Sequence, residues 1–178
     1  MKKHIFIIDT SAILSGKPIN LGDAIMMTTT TVSNELKPGG KDYRNFQFLI
    51  EKGLFIRDPS AKSRELIQKI AEESGDINRL SPADIDILAL AYELTRKKDH
   101  QTIILTDDYS IQNVATQLSI EFVALATFGI SRLLEWIRYC PACHRKYPAD
   151  YNSMTCKVCG TDLKRKPLRT ARKLKDAN

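Results

Sequence analysis

The sequence has no cysteine before position 140 and no apolar stretch long enough to cross a membrane. A membrane-spanning helix needs about 20 predominantly apolar residues. The basic start MKK is followed by HIFII, which ends at once at Asp9, and such a run is too short for the apolar region of a secretory signal. We therefore expect a protein of the cytoplasm that has no membrane partner.

The chain also lacks the motifs of several large enzyme classes. It contains no Gly-rich phosphate loop, no G-x-S-x-G sequence and no H-E-x-x-H pair. These motifs mark P-loop nucleotide-binding enzymes, α/β-hydrolases and zinc metalloproteases. The sequence therefore gives no support to those classes. It also shows no internal repeat, heptad run or low-complexity segment.

Positive charge is unevenly distributed along the chain. Residues 1–130 contain 15 Lys and Arg against 17 Asp and Glu, whereas residues 131–178 contain 12 against 4. The net charges of the two parts are therefore −2 and +8. A basic segment beside a nearly neutral domain is typical of a protein that binds a polyanion, most often nucleic acid. For the last residues alone, a solvated tail that only aids solubility is the alternative.

Strand-like and helix-like segments alternate before the cysteines. The strand-like segments are short apolar runs, and the segments between them carry apolar residues at helical spacing. The predicted strands are HIFIID (4–9), AIMMTTTT (24–31), LFIRDP (54–59), TIILT (102–106) and EFVAL (121–125). The alternation predicts an α/β fold, a three-layer domain with a mainly parallel sheet.

The clearest predicted helix begins after Ser81. Ser81 is a typical N-cap, Pro82 fits the first helical position, and Asp84 fits the third position of a capping box. The apolar run ILALAYEL then continues the helix. This pattern places the Asp84 carboxylate in the first turn.

Five acidic residues fall at predicted strand ends or on adjacent helices. Asp9 ends the first strand, Asp107 and Asp108 follow TIILT, Asp84 begins a helix, and Glu35 lies on a short helix after the second strand. Ligands of parallel α/β sheets bind at the carboxyl ends of the strands. Carboxylates gathered there repel one another unless a cation neutralises them, and oxygen ligands suit Mg²⁺ or Mn²⁺. Because such a metal activates water, the expected chemistry is hydrolysis of nucleic acid.

Each of these acidic residues also has a purely structural interpretation. Asp84 fits a capping-box partner of Ser81, and Asp9 fits the N-cap of the helix that follows it. Asp107 or Asp108 fits another N-cap, and Glu35 alone would be an exposed helix residue. Under this interpretation the chain is a non-catalytic RNA-binding adapter.

Four segments, in this order, resemble the PIN-domain nucleases: IIDTSAIL, TTTVSNEL, LSPADIDILALA and ILTDDYSIQNV. Members of that fold use three or four acidic residues to hold a divalent metal for RNA cleavage. The resemblance implies that Asp9, Glu35 and Asp84 bind this metal and that Asp108 is the fourth catalytic residue, with Asp107 as its substitute. Supporting polar roles are implied for two further residues, Ser11 and Thr106.

All four cysteines lie in one short segment. Cys140-Pro-Ala-Cys143 and Cys156-Lys-Val-Cys159 form two C-x-x-C pairs separated by twelve residues. This spacing predicts one structural Zn²⁺ held by the four thiolates, because the cytosol keeps thiols reduced. A module this small cannot build a sufficient apolar core, so the metal would supply its folding free energy. Redox-active cysteines are the alternative.

Basic and aromatic residues border the cysteines. Cations bind phosphates and aromatic rings stack on bases, so this border is a candidate RNA-binding surface. Packing of Trp136 against a domain is the alternative for that residue. The predicted RNA-binding residues are Arg138, Arg145, Lys146, Lys157, Lys164, Arg165 and Lys166.

These patterns predict a PIN-like nuclease domain (1–127), a linker (128–138), a zinc ribbon (139–166) and a basic tail (167–178). The combination of a PIN domain and a zinc ribbon resembles the NIN-one-binding (Nob) family, particularly its short archaeal members. That resemblance implies an endoribonuclease that uses Mg²⁺ or Mn²⁺ and forms the 3′ end of small-subunit (16S) ribosomal RNA. Its partners would be precursor ribosomal RNA, the pre-small ribosomal subunit and assembly proteins. A toxin-type PIN ribonuclease is the alternative.

Overall fold

The computed structural model describes residues 3–17, 19, 21, 24–97, 100–125 and 136–167. Its strands form two separate sheets, one of five strands and one of three. The first sheet and its helices form the larger part of the molecule, and the second sheet carries the cysteines.

The five-stranded sheet is parallel throughout, with the order β3-β2-β1-β4-β5. Its strands are β1 (Lys3–Ile8), β2 (Ile25–Thr28), β3 (Leu54–Ile56), β4 (His100–Leu105) and β5 (Glu121–Val123). The adjacent Ile7 and Ile8 of β1 are both fully buried although their side chains point to opposite faces. Both faces of the central strand are therefore covered, and the α/β fold with a mainly parallel sheet is confirmed.

Six α-helices and one 3-10 helix accompany this sheet in the part of the chain that the structure describes. They are α1 (Thr10–Leu14), α2 (Thr30–Glu35), α3 (Lys41–Glu51), α4 (Ala61–Ser74), the 3-10 helix (Ile77–Arg79), α5 (Pro82–Thr95) and α6 (Tyr109–Gln117). None of these helices is long and apolar enough to span a membrane.

The strand predicted at residues 24–31 is longer than the strand in the structure. Strand β2 ends at Thr28, and Thr29 is the N-cap of α2, where its side chain accepts a hydrogen bond from the Val32 amide. A threonine hydroxyl serves as a cap as readily as a threonine side chain fits a strand. The run of threonines therefore contains the boundary between the two elements.

Helix α5 is the centre of the larger core. Most of its side chains are buried, and it lies against α2, α4 and α6 as well as β1 and β4. A helix that is apolar all round belongs in such a position. Truncation of a fully buried leucine such as Leu88 or Leu90 to alanine would cost about 2–5 kcal/mol.

The second sheet is antiparallel and small. It consists of β6 (Trp136–Tyr139), β7 (Lys146–Tyr147) and β8 (Lys164–Pro167) in the order β7-β6-β8. Its core contains four buried residues, Cys140, Tyr147, Cys156 and Leu163. The predicted linker 128–138 lies outside the described residues except for 136–138, which begin β6, and the predicted tail is described only at Pro167.

Helix α4 contacts the second sheet at its C-terminal end. Gly75, the C-cap of α4, has a φ of +79°, and a Cβ atom placed on it would lie 2.5 Å from Ala149 Cβ and 3.0 Å from Trp136 Cβ. Arg79 and Arg165 lie over the Trp136 ring, 4.6 and 4.9 Å from its centroid. Trp136 therefore packs against the nuclease part, as the alternative interpretation of this residue predicted.

Candidate active site and metal centre

The acidic residues occupy the edge of the sheet where the strand order reverses. The chain proceeds from β1 through β2 to β3 on one side, and then adds β4 and β5 on the other side of β1. Asp9 follows β1 and Thr106 follows β4, so both lie at the carboxyl ends of the two strands that flank this reversal. Parallel α/β sheets bind ligands in the crevice at such a point.

Asp9 is the buried centre of the site, with 2% of its surface exposed. Its Oδ1 accepts a hydrogen bond from the Thr10 amide at 2.7 Å. Its Oδ2 accepts hydrogen bonds from the hydroxyls of Ser11 at 2.6 Å and Thr106 at 2.8 Å. Burial raises the pKa of Asp9, and these hydrogen bonds oppose that rise. Ser11 and Thr106 therefore hold the carboxylate in one orientation.

Thr10 connects Glu35 to Asp9 by donating a hydrogen bond to each carboxylate. The Thr10 hydroxyl donates a hydrogen bond to Glu35 Oε2 at 2.6 Å, and Glu35 is exposed at the end of α2. This bond links the first turn of α1 to the last turn of α2. No role was predicted for Thr10, although its position between Asp9 and Ser11 in the same motif was a usable signal.

Asp84 lies close enough to the other aspartates to interact with them electrostatically. Burial raises its pKa to about 6, and the negative charges of Asp9 and Asp108 add to the rise. The Ser81 amide donates to Asp84 Oδ2 at 2.7 Å, which opposes it. The charges of Asp9 and Asp108 thus both act on Asp84. The Thr106 hydroxyl also contacts both the Asp9 carboxylate and the Asp108 amide, so the three aspartates lie around one site.

Asp108 and Asp107 have different surroundings. Asp108 caps α6, with its Oδ1 accepting from the Ser110 amide at 2.6 Å, and its own amide donates to Thr106 Oγ1 at 3.0 Å. Asp107 Oδ1 accepts from the Leu125 amide at 2.9 Å. Asp107 is thus bound to the segment after β5, whereas Asp108 lies within the electrostatic range of Asp84.

The capping and metal-binding interpretations are compatible in this geometry. Asp84 and Asp108 each use one carboxylate oxygen for a backbone amide, and Asp9 accepts a single hydrogen bond at Oδ1. Each carboxylate oxygen has two acceptor positions. The three aspartates therefore retain oxygen lone pairs for a cation while their helix ends hold them in place. Such a set fits Mg²⁺ or Mn²⁺, which commonly bind one or two carboxylates directly and keep several waters.

An ion pair between a partly exposed arginine and a buried aspartate was missed by the sequence patterns. Asp86, 3% exposed, binds Arg64 Nε through Oδ1 at 2.5 Å and accepts from the Thr31 hydroxyl at 3.0 Å. It thereby ties α5, which carries Asp84, to α2, which carries Glu35. A charged residue inside the apolar run after Asp84 was the signal for this role.

The four cysteines form a compact cluster. Their sulfur atoms all lie within 4.8 Å of one another, and the closest pairs are Cys140 with Cys159 at 3.3 Å and Cys143 with Cys156 at 3.5 Å. Four ligands at about 2.3 Å around a tetrahedral Zn²⁺ lie about 3.8 Å apart. The cluster therefore fits zinc. It is the one group of this kind among the described residues, so the carboxylates of the acidic site are less tightly gathered.

The environment of Cys156 favours a thiolate. The Tyr147 hydroxyl lies 3.0 Å from its sulfur, and this hydrogen bond lowers the pKa of Cys156 to about 6. Thiolates are the form of cysteine that binds metal. His144 is exposed beside Cys143 and is not part of the cluster.

The predicted RNA-binding cations have unequal access to a ligand. Arg145, Lys146, Lys157 and Lys164 are exposed. Lys166 Nζ lies 4.5 Å from the Tyr139 ring centroid, and Arg138 Nε donates to the Ala149 carbonyl at 3.2 Å. Arg165 lies over Trp136, so part of its guanidinium is occupied inside the molecule.

Similarity to known proteins agrees with this geometry. A family model described as the PIN domain of ribonuclease matches residues 6–94. The Nob1 endoribonuclease of Methanothermobacter thermautotrophicus is 39% identical over 78% of this chain and 80% of its own length.

Two further relatives match over a longer part of the chain. The Nob1 endoribonuclease of Methanocaldococcus jannaschii is 33% identical over 95% of this chain and 81% of its own length. The ribonuclease VapC1 of Thermoplasma acidophilum is 33% identical over 90% of this chain and 77% of its own length. The PIN match, the extent of similarity to Nob1 proteins and the clustered cysteines together show that this chain belongs to the Nob1 family of PIN-domain endoribonucleases.

Proposed function

We propose that this protein hydrolyses RNA phosphodiester bonds with a divalent metal, Mg²⁺ or Mn²⁺, and forms the 3′ end of small-subunit (16S) ribosomal RNA. The observation that carries the first part is that the Thr106 hydroxyl joins the Asp9 carboxylate to the Asp108 amide, while the charges of both aspartates act on Asp84. Glu35 joins this set through Thr10. Carboxylates in such a group need a cation at neutral pH.

The acidic residues and the hydroxyl residues have different roles at this site. Asp9, Asp84, Asp108 and Glu35 would hold the cation, and Ser11 and Thr106 fix the Asp9 carboxylate. When bound, the metal would neutralise charge on the scissile phosphate and lower the pKa of a coordinated water. The capped helix ends limit movement of the three aspartates, because each of their carboxylates accepts from a backbone amide, and the Thr10 hydroxyl holds Glu35.

The relatives and the cysteine module (the predicted zinc ribbon, 139–166) favour precursor ribosomal RNA as the substrate. The names of several relatives describe Nob1 endoribonucleases, and the cysteine module carries exposed cations that suit an RNA surface. Binding of structured RNA or the pre-small ribosomal subunit by this module would bring a single strand to the acidic site.

A toxin-type ribonuclease is the second candidate function. It is favoured by the similarity to ribonucleases VapC1 and VapC3 of other archaea. A nuclease of this kind has no evident need for a four-cysteine module with a basic surface. The two functions differ in site choice, since a maturation enzyme cuts its precursor at one position and cuts unrelated RNAs slowly.

The test is cleavage of an end-labelled precursor fragment that spans the mature 3′ end, with Mn²⁺ or Mg²⁺ titrated from zero. Asp9→Asn should abolish cleavage while RNA binding persists, and Asp42→Asn, a change in the first turn of α3, serves as the matched control. Cleavage by Asp9→Asn at the parent rate would refute the site. Binding without cleavage at any metal concentration would favour the non-catalytic adapter, and equal cleavage of unrelated RNAs would favour the toxin-type enzyme.

A further inference from the structure

A groove between α4 and the C-terminal half of α5 concentrates positive charge on the nuclease part of the molecule. Its volume is about 740 Å³, and two separate segments of the chain, within 57–66 and 92–97, line it. Arg57 follows β3, Lys62 lies in the first turn of α4, and Arg96 and Lys97 follow α5. All four side chains are exposed. The fold therefore brings together cations that are up to forty residues apart in sequence.

These cations are not neutralised by ion pairs within the described residues. The single salt bridge there joins Arg64 to Asp86, and neither residue lines this groove. Because residues 1–130 have a net charge of −2, the concentration of positive charge is not a consequence of a generally basic domain. It is a local feature that the linear charge pattern conceals.

The acidic residue that lines the groove, Glu93, has another partner. Its Oε1 accepts a hydrogen bond from the Ser60 amide at 2.8 Å, at the N-terminus of α4. Burial acts to raise the pKa of Glu93, but the hydrogen bonds from Ser60 and the charge of Arg57 hold it below its usual value. Glu93 thus remains an anion engaged with a helix end. The groove retains a net charge of three positive units at pH 7.

Tyr92 adds an aromatic surface to the same groove. Arg96 Nη1 donates to the Tyr92 hydroxyl at 2.6 Å, and its guanidinium lies 5.5 Å from the ring centroid. This contact holds one cation at a defined place in the groove. Cations beside an aromatic ring are the combination that nucleic-acid grooves use for backbone and base contacts.

We propose that this groove binds the phosphate backbone of the substrate RNA, as a second RNA contact besides the cysteine module. The inference rests on the proposed function, because it extends the path of the same substrate. One rim begins at the active edge of the sheet, where the Arg57 amide donates to the carbonyl of Thr28 at 2.8 Å. The groove offsets the repulsion between RNA and the acidic site on the same domain.

The experiment compares two triple variants that remove the same charge. In the groove variant Lys62, Arg96 and Lys97 are changed to Gln. In the control Arg44, Lys52 and Lys69, exposed residues outside the groove, are changed to Gln. Affinity for a fluorescent single-stranded precursor fragment is measured without divalent metal over a salt series, using full-length chains whose melting temperatures agree with the parent.

The groove variant should bind the RNA fragment roughly tenfold more weakly at low salt, because three exposed charge contacts, each weak by itself, are lost together. The slope of log K against log salt should fall by about 2, since each lost phosphate contact on a single strand removes about 0.7. The control should change neither quantity appreciably. The single variant Lys62→Gln should give about a third of the change in slope, which protects the test against misfolding of the triple variant.

Equal losses in both triple variants would overturn the proposal, because they would show only general attraction of RNA to positive charge. An unchanged affinity in the groove variant would also overturn it and would assign the groove to an acidic protein partner or to no ligand. These binding results do not depend on cleavage. A parent protein that binds RNA through the groove but never cleaves it would refute the proposed function and leave the groove intact.

Discussion

Ser81 and Asp84 cap each other across the first turn of α5. The Asp84 amide donates to Ser81 Oγ at 3.2 Å, and the Ser81 amide donates to Asp84 Oδ2 at 2.7 Å. The negative charges of Asp9 and Asp108 act on the same Asp84 carboxylate. Asp84 thus stabilises the helix through one carboxylate oxygen and leaves the other for the cation that we propose.

Ser81→Ala is expected to weaken both functions of this pair. Loss of the cap should cost about 1 kcal/mol, or roughly 2–4 °C in melting temperature. The Asp84 carboxylate keeps its hydrogen bond from the amide of residue 81, but the first turn that carries it loses the Ser81 hydroxyl and becomes looser, so Mn²⁺ binding should also weaken several-fold. Ser60→Ala is the control, because the Ser60 hydroxyl caps α4 outside the acidic site, where its amide binds Glu93. Calorimetric titration with Mn²⁺ should separate the two, and equal affinities would show that the cap does not position the ligand.

Asp84 should make the metal-free protein less stable as the pH rises. Its pKa is about 6 in the folded state and 3.8 in the reference state. A carboxyl group whose pKa is raised on folding stabilises the folded state fully below pH 3.8. This stabilisation is lost as the pH rises through 6. Asp9 shifts in the same direction.

The measurement is the melting temperature of the parent and of Asp84→Asn at pH 5 and pH 7 in a chelator. From pH 5 to pH 7 the melting temperature of the parent should fall by roughly 2–5 °C more than that of Asp84→Asn. Addition of Mn²⁺ at pH 7 should remove the difference. A parent that is relatively more stable at pH 7 without metal would contradict the electrostatic assignment.

One zinc ion per chain is expected in the cysteine cluster, and its removal should unfold the small sheet. Structural zinc binding contributes about 10–16 kcal/mol in comparable peptides. Cys143→Ser should lose the metal by elemental analysis, whereas His144→Ala should retain it because His144 is outside the cluster. The fluorescence of Trp136, the single tryptophan, should shift to longer wavelength in the cysteine variant. Full zinc content in Cys143→Ser would refute the ligand set.

The exposed cations of the cysteine module should supply part of the RNA affinity. Changing Arg145, Lys146, Lys157 and Lys164 to Gln should lower the salt dependence of binding by up to about 3 in log–log slope. Asp9→Asn should leave the slope unchanged, because it removes no phosphate contact. Removal of residues 139–178 should have a larger effect and leave slow, poorly selective cleavage. Unchanged site choice after truncation would assign the module to a structural or protein-docking role.

Gly75→Ala should displace the small sheet from α4. The new methyl group would lie 2.5 Å from Ala149 Cβ, and the left-handed backbone would add a strain of about 1 kcal/mol. Gly53→Ala is the matched control, since Gly53 has a φ of +95° and no atom within 4 Å of an added Cβ. Both variants should lose stability, but only Gly75→Ala should red-shift the emission of Trp136. Identical spectra would show that the contact tolerates a side chain.

The sequence determined the elements whose signals are local. The apolar runs predicted β1 and β4, and the Ser81–Asp84 spacing predicted a capping box that the structure contains. The two C-x-x-C pairs predicted a cysteine cluster, because four thiolates at this spacing can reach one ion. Motif order was sufficient for the family, which the relatives then confirmed.

The tertiary structure decided everything that depends on distance across the fold. The run of threonines at 24–31 was ambiguous because threonine suits both strands and caps, and only packing placed the boundary at Thr28. The Asp86–Arg64 pair and the groove formed by Arg57, Lys62, Arg96 and Lys97 join segments that are remote in sequence. Charge counted along the chain located the basic end but not this groove, since the acidic residues of 1–130 outnumber its cations in the sum and only the fold brings Arg57 and Lys62 to Arg96 and Lys97.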